Sequence, residues 1–142
     1  MLAFREGAES WLDASAYCTG DWRPQRLVGE LALDIRDLAL TPVHSGFSAW
    51  RAESESFAMG VHYVLEGSAL GARILCQRVE PLGLGREYGA RHLWAQAEHP
   101  HSFRGFLDLL SARSNELNEA HVIAGANAAF SAAARAMECA RA

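Results

Sequence analysis

The sequence lacks several features that would mark whole classes of protein. Its three cysteines, Cys18, Cys76 and Cys139, lie far apart and form neither a Cys-x-x-Cys pair nor a cluster with metal-ligand spacing. Such an odd, dispersed set is typical of reduced thiols, so we expect a cytoplasmic protein. No uninterrupted apolar run reaches the ~20 residues that a membrane-spanning helix needs. Charge also enters the amino terminus too early for the apolar core of a signal peptide.

Basic residues are too scattered to indicate a nucleic-acid partner. The 13 Lys and Arg are outnumbered by 17 Asp and Glu, which gives a net charge of -4 at pH 7. No block or stripe concentrates positive charge on one segment. We therefore expect neither a nucleic acid nor an anionic membrane as a partner.

Apolar residues recur every three or four positions through most of the 142 residues, and persistent strand-like alternation is absent. This period predicts an all-α fold, and the even composition predicts a single domain over residues 1–142. Helices are expected over residues 2–17, 24–40, 53–79 and 88–97, then from Ser102 onward, and over residues 115–140. We expect Pro24 to open the second helix, Pro81 to stop the third, Pro100 to end the fourth and Ser102 to cap the fifth.

The most unusual stretch is residues 60–73, which places three glycines in a segment that is otherwise predicted to be helical. Each glycine costs about 1 kcal/mol relative to alanine inside a helix. Gly67 and Gly71 are four residues apart and share one face, where another backbone or a flat ligand could come close. Tight helix packing or a kink is the structural alternative, and it is the commoner use of such a pair.

One contiguous run carries a family resemblance, namely Tyr63-Val64-Leu65-Glu66-Gly67-Ser68-Ala69-Leu70-Gly71-Ala72. It resembles the distal helix of the bacterial biliverdin-producing heme oxygenases, whose pattern is close to YVxEGSxLGG or YVxEGSxLGA. Looser similarity continues through residues 88–93, 103–106 and 126–130. In that family the helix passes over the heme face, and its glycines let backbone approach the iron-bound oxygen. The resemblance implies a heme oxygenase-like helical bundle in which Gly67, Ser68 and Gly71 bind heme.

The chain departs from the family pattern ahead of this run. A family member begins with a helix whose histidine binds iron from the proximal side, and several helices separate it from the distal motif. Here the motif already begins at Tyr63, and no histidine precedes His44. We therefore expect a bundle truncated at its amino terminus. His44 could reach iron only if its loop folded over the pocket, so the iron ligand and the catalytic residues remain unassigned.

The other candidate residues are expected to be structural. His62 lies five residues before Gly67 and could face a ligand, although a buried structural histidine is the more frequent case. His99 and His101 are expected in a surface loop, since the pair is too isolated for a metal site. Glu66 is expected to anchor its helix through a buried hydrogen bond. Cys76 is expected to pack as a small apolar side chain.

Two functions from different classes follow from the resemblance. The first is a non-classical heme oxygenase-like protein that binds heme or serves a signalling partner, with catalysis lost or altered. The second is an active heme oxygenase that converts heme to biliverdin, iron and carbon monoxide with electrons from an external reductase. We favour the first, because the axial ligand is a main control on heme reactivity and has no obvious source here. A thiaminase-like protein would share the architecture, but no matching cysteine and acid arrangement is present.

We predict that the chain forms a homodimer. In the family the helices missing here cover apolar surface, so a second copy should cover the corresponding patch. Phe4, Trp11, Phe47 and Trp50 are the expected contributors, and the interface should bury more than about 1,200 Å². Light scattering at micromolar concentration measures the mass in solution. A compact, stable species of 15.5 kDa would contradict the prediction.

Overall fold

The computed structural model describes residues 1–14, 21–43, 50–51 and 54–141, apart from the side chains of residues 100 and 101. Within these ranges the chain forms seven α-helices and no β-strand, which confirms the predicted all-α fold. The helices are α1 (Leu2–Ala14), α2 (Val28–Asp37), α3 (Glu55–Gly67), α4 (Ala69–Val79), α5 (Arg91–Ala97), α6 (Pro100–Ala112) and α7 (Glu119–Arg141). None of these helices is long and apolar enough to cross a membrane.

The second helix is shorter than predicted, and Pro24 does not open it. Residues 25 and 27 precede α2, and their backbone N–H groups are bound by carboxylates of other helices. Gln25 donates to Glu66 at 2.9 Å, and Leu27 donates to Glu9 at 3.0 Å. Because these tertiary hydrogen bonds replace helical ones, the segment docks into the bundle and the helix begins only at Val28.

The long third helix of the prediction is two helices that meet at Ser68. Ser68 keeps right-handed helical backbone angles, with φ −60° and ψ −22°, so the interruption is slight. Its hydroxyl oxygen lies 2.6 Å from the carbonyl oxygen of Leu65, one turn back. A serine hydroxyl that bonds to the preceding turn competes with the helical ladder and bends the helix. After α4, Pro81 lies in a short 3₁₀ turn that ends at Gly83, where φ is +77°.

Pro100 and Ser102 occupy other helix positions than the sequence predicted. Pro100 opens α6 instead of ending α5, as its missing N–H permits in a first turn. His99 occupies the N-cap position of α6. Ser102 therefore lies inside α6, and its hydroxyl donates to Glu66 instead of capping a helix. The last helix begins at Glu119 and not at residue 115.

The core is formed mainly where α3 lies against α7. Val61, Val64 and Leu65 of α3 pack with the alanines Ala129 and Ala132 of α7. Two glycines set the distance between these helices. A Cβ built on Gly60 would lie 1.9 Å from the carbonyl oxygen of Val122, and one built on Gly125 would lie 2.0 Å from that of Phe57. The close helix packing therefore involves Gly60 and Gly125, whereas the sequence had drawn attention to a later glycine pair.

The first helix contributes aromatic side chains to this core. Phe4 is only 3 % exposed and packs within the core formed by α3 and α7. Trp11 is half-buried, and its indole N–H donates to the carbonyl oxygen of Trp50 at 3.0 Å. The expectation that Phe4 would contribute to a dimer interface is therefore wrong, because its own chain covers it. Phe47, the other expected contributor beside Trp50, lies outside the described residues.

We predict that Gly60→Ala destabilises the protein by about 1–3 kcal/mol, because the added methyl group forces α3 and α7 apart. In an ordinary helix the same change would stabilise by up to about 1 kcal/mol. Gly71→Ala is the matched control, since a Cβ there has no neighbour within 4 Å. Urea unfolding of the three proteins measures the difference. A gain in stability for both variants would contradict the assigned contact.

Candidate functional site

The glycine pair of the distal-helix run lies on an open face. A Cβ on Gly71 would meet nothing within 4 Å, and one on Gly67 would meet only the Phe103 ring, at 3.5 Å. These two glycines therefore do not serve tight packing within the bundle, although the helix interruption at Ser68 lies between them and agrees with the alternative of a kink. We call the surface around Gly67 and Gly71 the glycine face.

Large apolar side chains remain exposed beside the glycine face and, separately, along α7. Tyr63, Leu70 and Ile74 share the α3–α4 segment with the glycines and are 41–65 % exposed. On α7, Ile123, Phe130 and Met137 recur every seven residues, which aligns them along one side of that helix, and they are 50–58 % exposed. Exposed apolar side chains that cluster on a soluble domain typically mark ligand or interaction sites.

Ser68 lies between the two glycines in sequence, but its hydroxyl turns toward other helices. The hydroxyl oxygen is 2.5 Å from Oε1 of Gln96 on α5, and a guanidinium nitrogen of Arg5 on α1 donates to it at 3.5 Å. These side chains line a cleft of about 180 Å³, which we call the Ser68 cleft. Its apolar wall includes the exposed side chains of Leu75 on α4 and Met137 on α7.

Arg5 is the buried cation of the Ser68 cleft. It is 3 % exposed, and one of its terminal nitrogens donates to the carbonyl oxygen of Leu65 at 3.2 Å. The other terminal nitrogen lies 3.6 Å from Glu9 and has no hydrogen-bond partner. Burial lowers the pKa of Arg5, and the negative charges of Glu9 and Glu66 oppose that shift. The cleft thus combines apolar walls with an incompletely satisfied donor.

Glu66 anchors the distal helix, as predicted. It is 2 % exposed, and its carboxylate accepts hydrogen bonds from the Gln25 backbone at 2.9 Å and from the Ser102 hydroxyl at 2.5 Å. Burial raises the pKa of Glu66, while these two hydrogen bonds and the nearby Arg5 act to lower it. The residue joins α3 to α6 and to the segment before α2, so its role is structural.

The histidines highlighted by the sequence do not converge on the glycine face. His62 is 5 % exposed and points into the bundle, where its ring lies 5.1 Å from that of Trp22. Burial lowers the pKa of His62 to about 4, so the ring stays neutral at physiological pH. His99 is exposed at the N-cap of α6 and His101 lies within that helix, so the expected surface loop around this pair is wrong. His44 lies outside the described residues. Among the described residues no group of three potential metal ligands occurs.

Cys76 packs as predicted. It is 8 % exposed and contacts the small apolar side chains around Ala72, Ala90 and Leu93, and burial raises the pKa of its thiol. A buried, protonated thiol is a poor nucleophile. Cys76 is therefore part of the contact between α4 and α5.

The sequence reasoning missed the polar groups of the Ser68 cleft. Arg5 and Glu9 form an i,i+4 pair beside the apolar residues of α1, and this pairing within an amphipathic stripe was the available signal. Gln96 had no signal of its own. His92 also lines the cleft, and its ring nitrogen Nδ1 lies 2.7 Å from the buried Asp34 carboxylate. Nothing in the local sequence indicates that contact, because 58 residues separate its partners.

The described residues thus form an all-helical bundle with an open glycine face. A heme oxygenase from Xanthomonas campestris pv. campestris (strain 8004) is 30 % identical to the chain over 131 residues, which are 92 % of this chain and 77 % of that protein. The chain belongs to the heme oxygenase family. No family model matches the sequence, and no solved structure matches it.

Proposed function

We propose that this chain binds heme with one side of the macrocycle against the glycine face. The observation that carries the proposal is the open space at Gly71, where a Cβ would have no neighbour within 4 Å. A flat ring can approach helix backbone only where side chains are absent, and Gly67 provides the same opening one turn earlier. The exposed Leu70 and Ile74 would then be covered by an apolar ligand instead of by water.

The residues present fit one side of a macrocycle but offer it no imidazole from the glycine face itself. His62 points into the bundle, and Tyr63 and Leu70 are the side chains beside the glycines. We therefore propose a non-classical family member that binds heme, or serves a regulatory role, with lost or altered catalysis. When bound, heme would supply an iron that can hold dioxygen; the chain's own residues would orient the ring and exclude water.

A second candidate is an active heme oxygenase that forms biliverdin, iron and carbon monoxide with electrons from an external reductase. The polar side of the Ser68 cleft favours it. Arg5, Ser68 and Gln96 place hydrogen-bond donors and acceptors next to the glycine face, within walls that are otherwise apolar. Preorganised donors in a site of low polarity are the usual way in which proteins stabilise developing negative charge.

The homodimer also remains a proposal. The exposed side chains of α7, Ile123, Phe130 and Met137, form an apolar stripe longer than 20 Å, given about 1.5 Å of rise per residue. A second copy of the chain would cover this stripe.

We predict that Gly71→Leu lowers the affinity for hemin at least about tenfold, a loss of about 1.4 kcal/mol of binding free energy, because a branched side chain would occupy the ligand's position. Soret absorbance during titration with hemin measures the affinity. Gln77→Leu is the matched control: residue 77 is exposed on the same helix, about 240° further round its axis. Unchanged affinity in a folded Gly71→Leu protein would refute the glycine face as the site.

We further predict that the chain alone converts heme to biliverdin more slowly than the Xanthomonas relative under identical conditions. Hemin, a reductase and its electron donor are supplied to both proteins, with catalase present to remove free peroxide. Loss of the Soret band and growth of bilin absorbance give the rate. Equal rates would favour the active enzyme over the non-classical protein.

A further inference from the structure

A buried carboxylate fixes the orientation of one histidine that lines the Ser68 cleft. Asp34 is 3 % exposed and lies near the end of α2. It accepts hydrogen bonds from the backbone N–H groups of Arg91 and His92, at 2.8 and 3.0 Å, in the first turn of α5. Its Oδ2 is also 2.7 Å from Nδ1 of His92. Because a carboxylate can only accept, Nδ1 of His92 carries the hydrogen and donates it.

The second ring nitrogen of His92 is thereby left as an acceptor. The side chain of His92 is 24 % exposed, and it lines the Ser68 cleft. A carboxylate behind an imidazole fixes its tautomer and increases the basicity of the nitrogen on the other side. Asp34 and His92 therefore form an oriented base at the edge of the cleft.

His92 is connected to the glycine face through α5. Gln96 follows His92 by one helical turn, on the same side of α5, and donates to the His92 carbonyl oxygen at 3.2 Å. Oε1 of Gln96 is 2.5 Å from the hydroxyl oxygen of Ser68, the residue that separates α3 from α4. Room for ordered water remains, since the cleft of about 180 Å³ exceeds the share of about 30 Å³ that one water takes in the liquid.

We propose that His92, oriented by Asp34, is the acid–base residue of this site. When heme is bound, Nε2 of His92 would accept a hydrogen bond from a water molecule on the side of the Ser68 cleft and would exchange a proton with it. The inference rests on the proposed heme binding, but it does not require catalysis. The proton would pass between water and Nε2, and Asp34 keeps its hydrogen bond to Nδ1. Solvent that enters the open cleft restores the proton, so no other reactant is needed.

The surroundings of His92 are consistent with this role. Met1 and Arg5 line the cleft together with His92, Asp34 of α2 contacts its ring, and the neighbouring Arg91 pairs with Asp34 and Asp37. The side chains that α4 and α7 contribute to the cleft are Ala72, Leu75 and Met137, which are uncharged. Asp34 is the one acid among these groups with a direct bond to the ring. His62 lacks such a partner, and its ring lies between aromatic side chains away from the cleft.

The test uses His92→Asn in the full chain. The asparagine amide can replace the Nδ1 hydrogen bond to Asp34, so α5 stays anchored, while Nε2 is removed. The ferric hemin complex is titrated with alkali, and the visible spectrum follows deprotonation of the bound water. We expect the midpoint to fall by at least about 0.5 pH unit, because the neutral water loses its acceptor. Hemin affinity should change less than about threefold, because His92 does not form the glycine face.

Two further variants complete the experiment. His121→Asn removes an exposed histidine in the first turn of α7 and should leave the midpoint unchanged. Asp34→Asn keeps the ring but removes the charge behind it, and should also lower the midpoint. A wild-type midpoint in both folded His92→Asn and Asp34→Asn proteins, or a wild-type complex without any such transition, would overturn the inference alone. Failure of the wild-type chain to bind hemin would overturn the proposed function as well.

Discussion

The close approach of α3 to α7 at Gly60 and Gly125 determines how the rest of the bundle is arranged. Each glycine lies against a backbone carbonyl of the opposite helix, at a distance that leaves no room for a side chain. Because of this contact, one side of α3 packs against α7. Tyr63 and Gly67 follow Gly60 by three and seven residues, so they lie at the edge of this contact, beside Phe103 of α6. Without that constraint the distal-helix run would have no defined outer face on which a flat ligand could rest.

Buried carboxylates organise the segments that helices leave without hydrogen bonds. Glu9 and Glu66 accept from the backbone before α2, Asp34 accepts from the first turn of α5, and Asp37 accepts from the Gly89 backbone. Negative charge near the first turn of a helix is favourable, because the unpaired N–H groups point toward it. The acids thus act as helix caps from a distance. They also define the Ser68 cleft, since Glu9 pairs with Arg5 and Asp34 orients His92.

These long-range carboxylates explain which features could be predicted from the sequence. Helical periodicity correctly predicted an all-α bundle, because burial of one face imposes that period locally. The start of α2 was misplaced, because the hydrogen bonds of Gln25 and Leu27 depend on acids 41 and 18 residues away. Of the glycines in residues 60–73, the sequence favoured the pair that proved exposed and gave no sign of the contact made by Gly60. Glu66 was predictable because the family motif placed an acid on a helix that must be buried.

The interruption at Ser68 divides the central helical segment between two packed pairs. Before it, α3 belongs with α7; after it, α4 packs on α5 through Ala72, Cys76 and Leu93. Regions that share few contacts can open separately, as cooperative units with their own free energies. Gly67 is the last residue of α3, in the first unit, and Gly71 lies in the first turn of α4, in the second. A ligand that spans both glycines would therefore bridge the units, and the bundle would unfold more nearly as one cooperative whole with the ligand bound than without it.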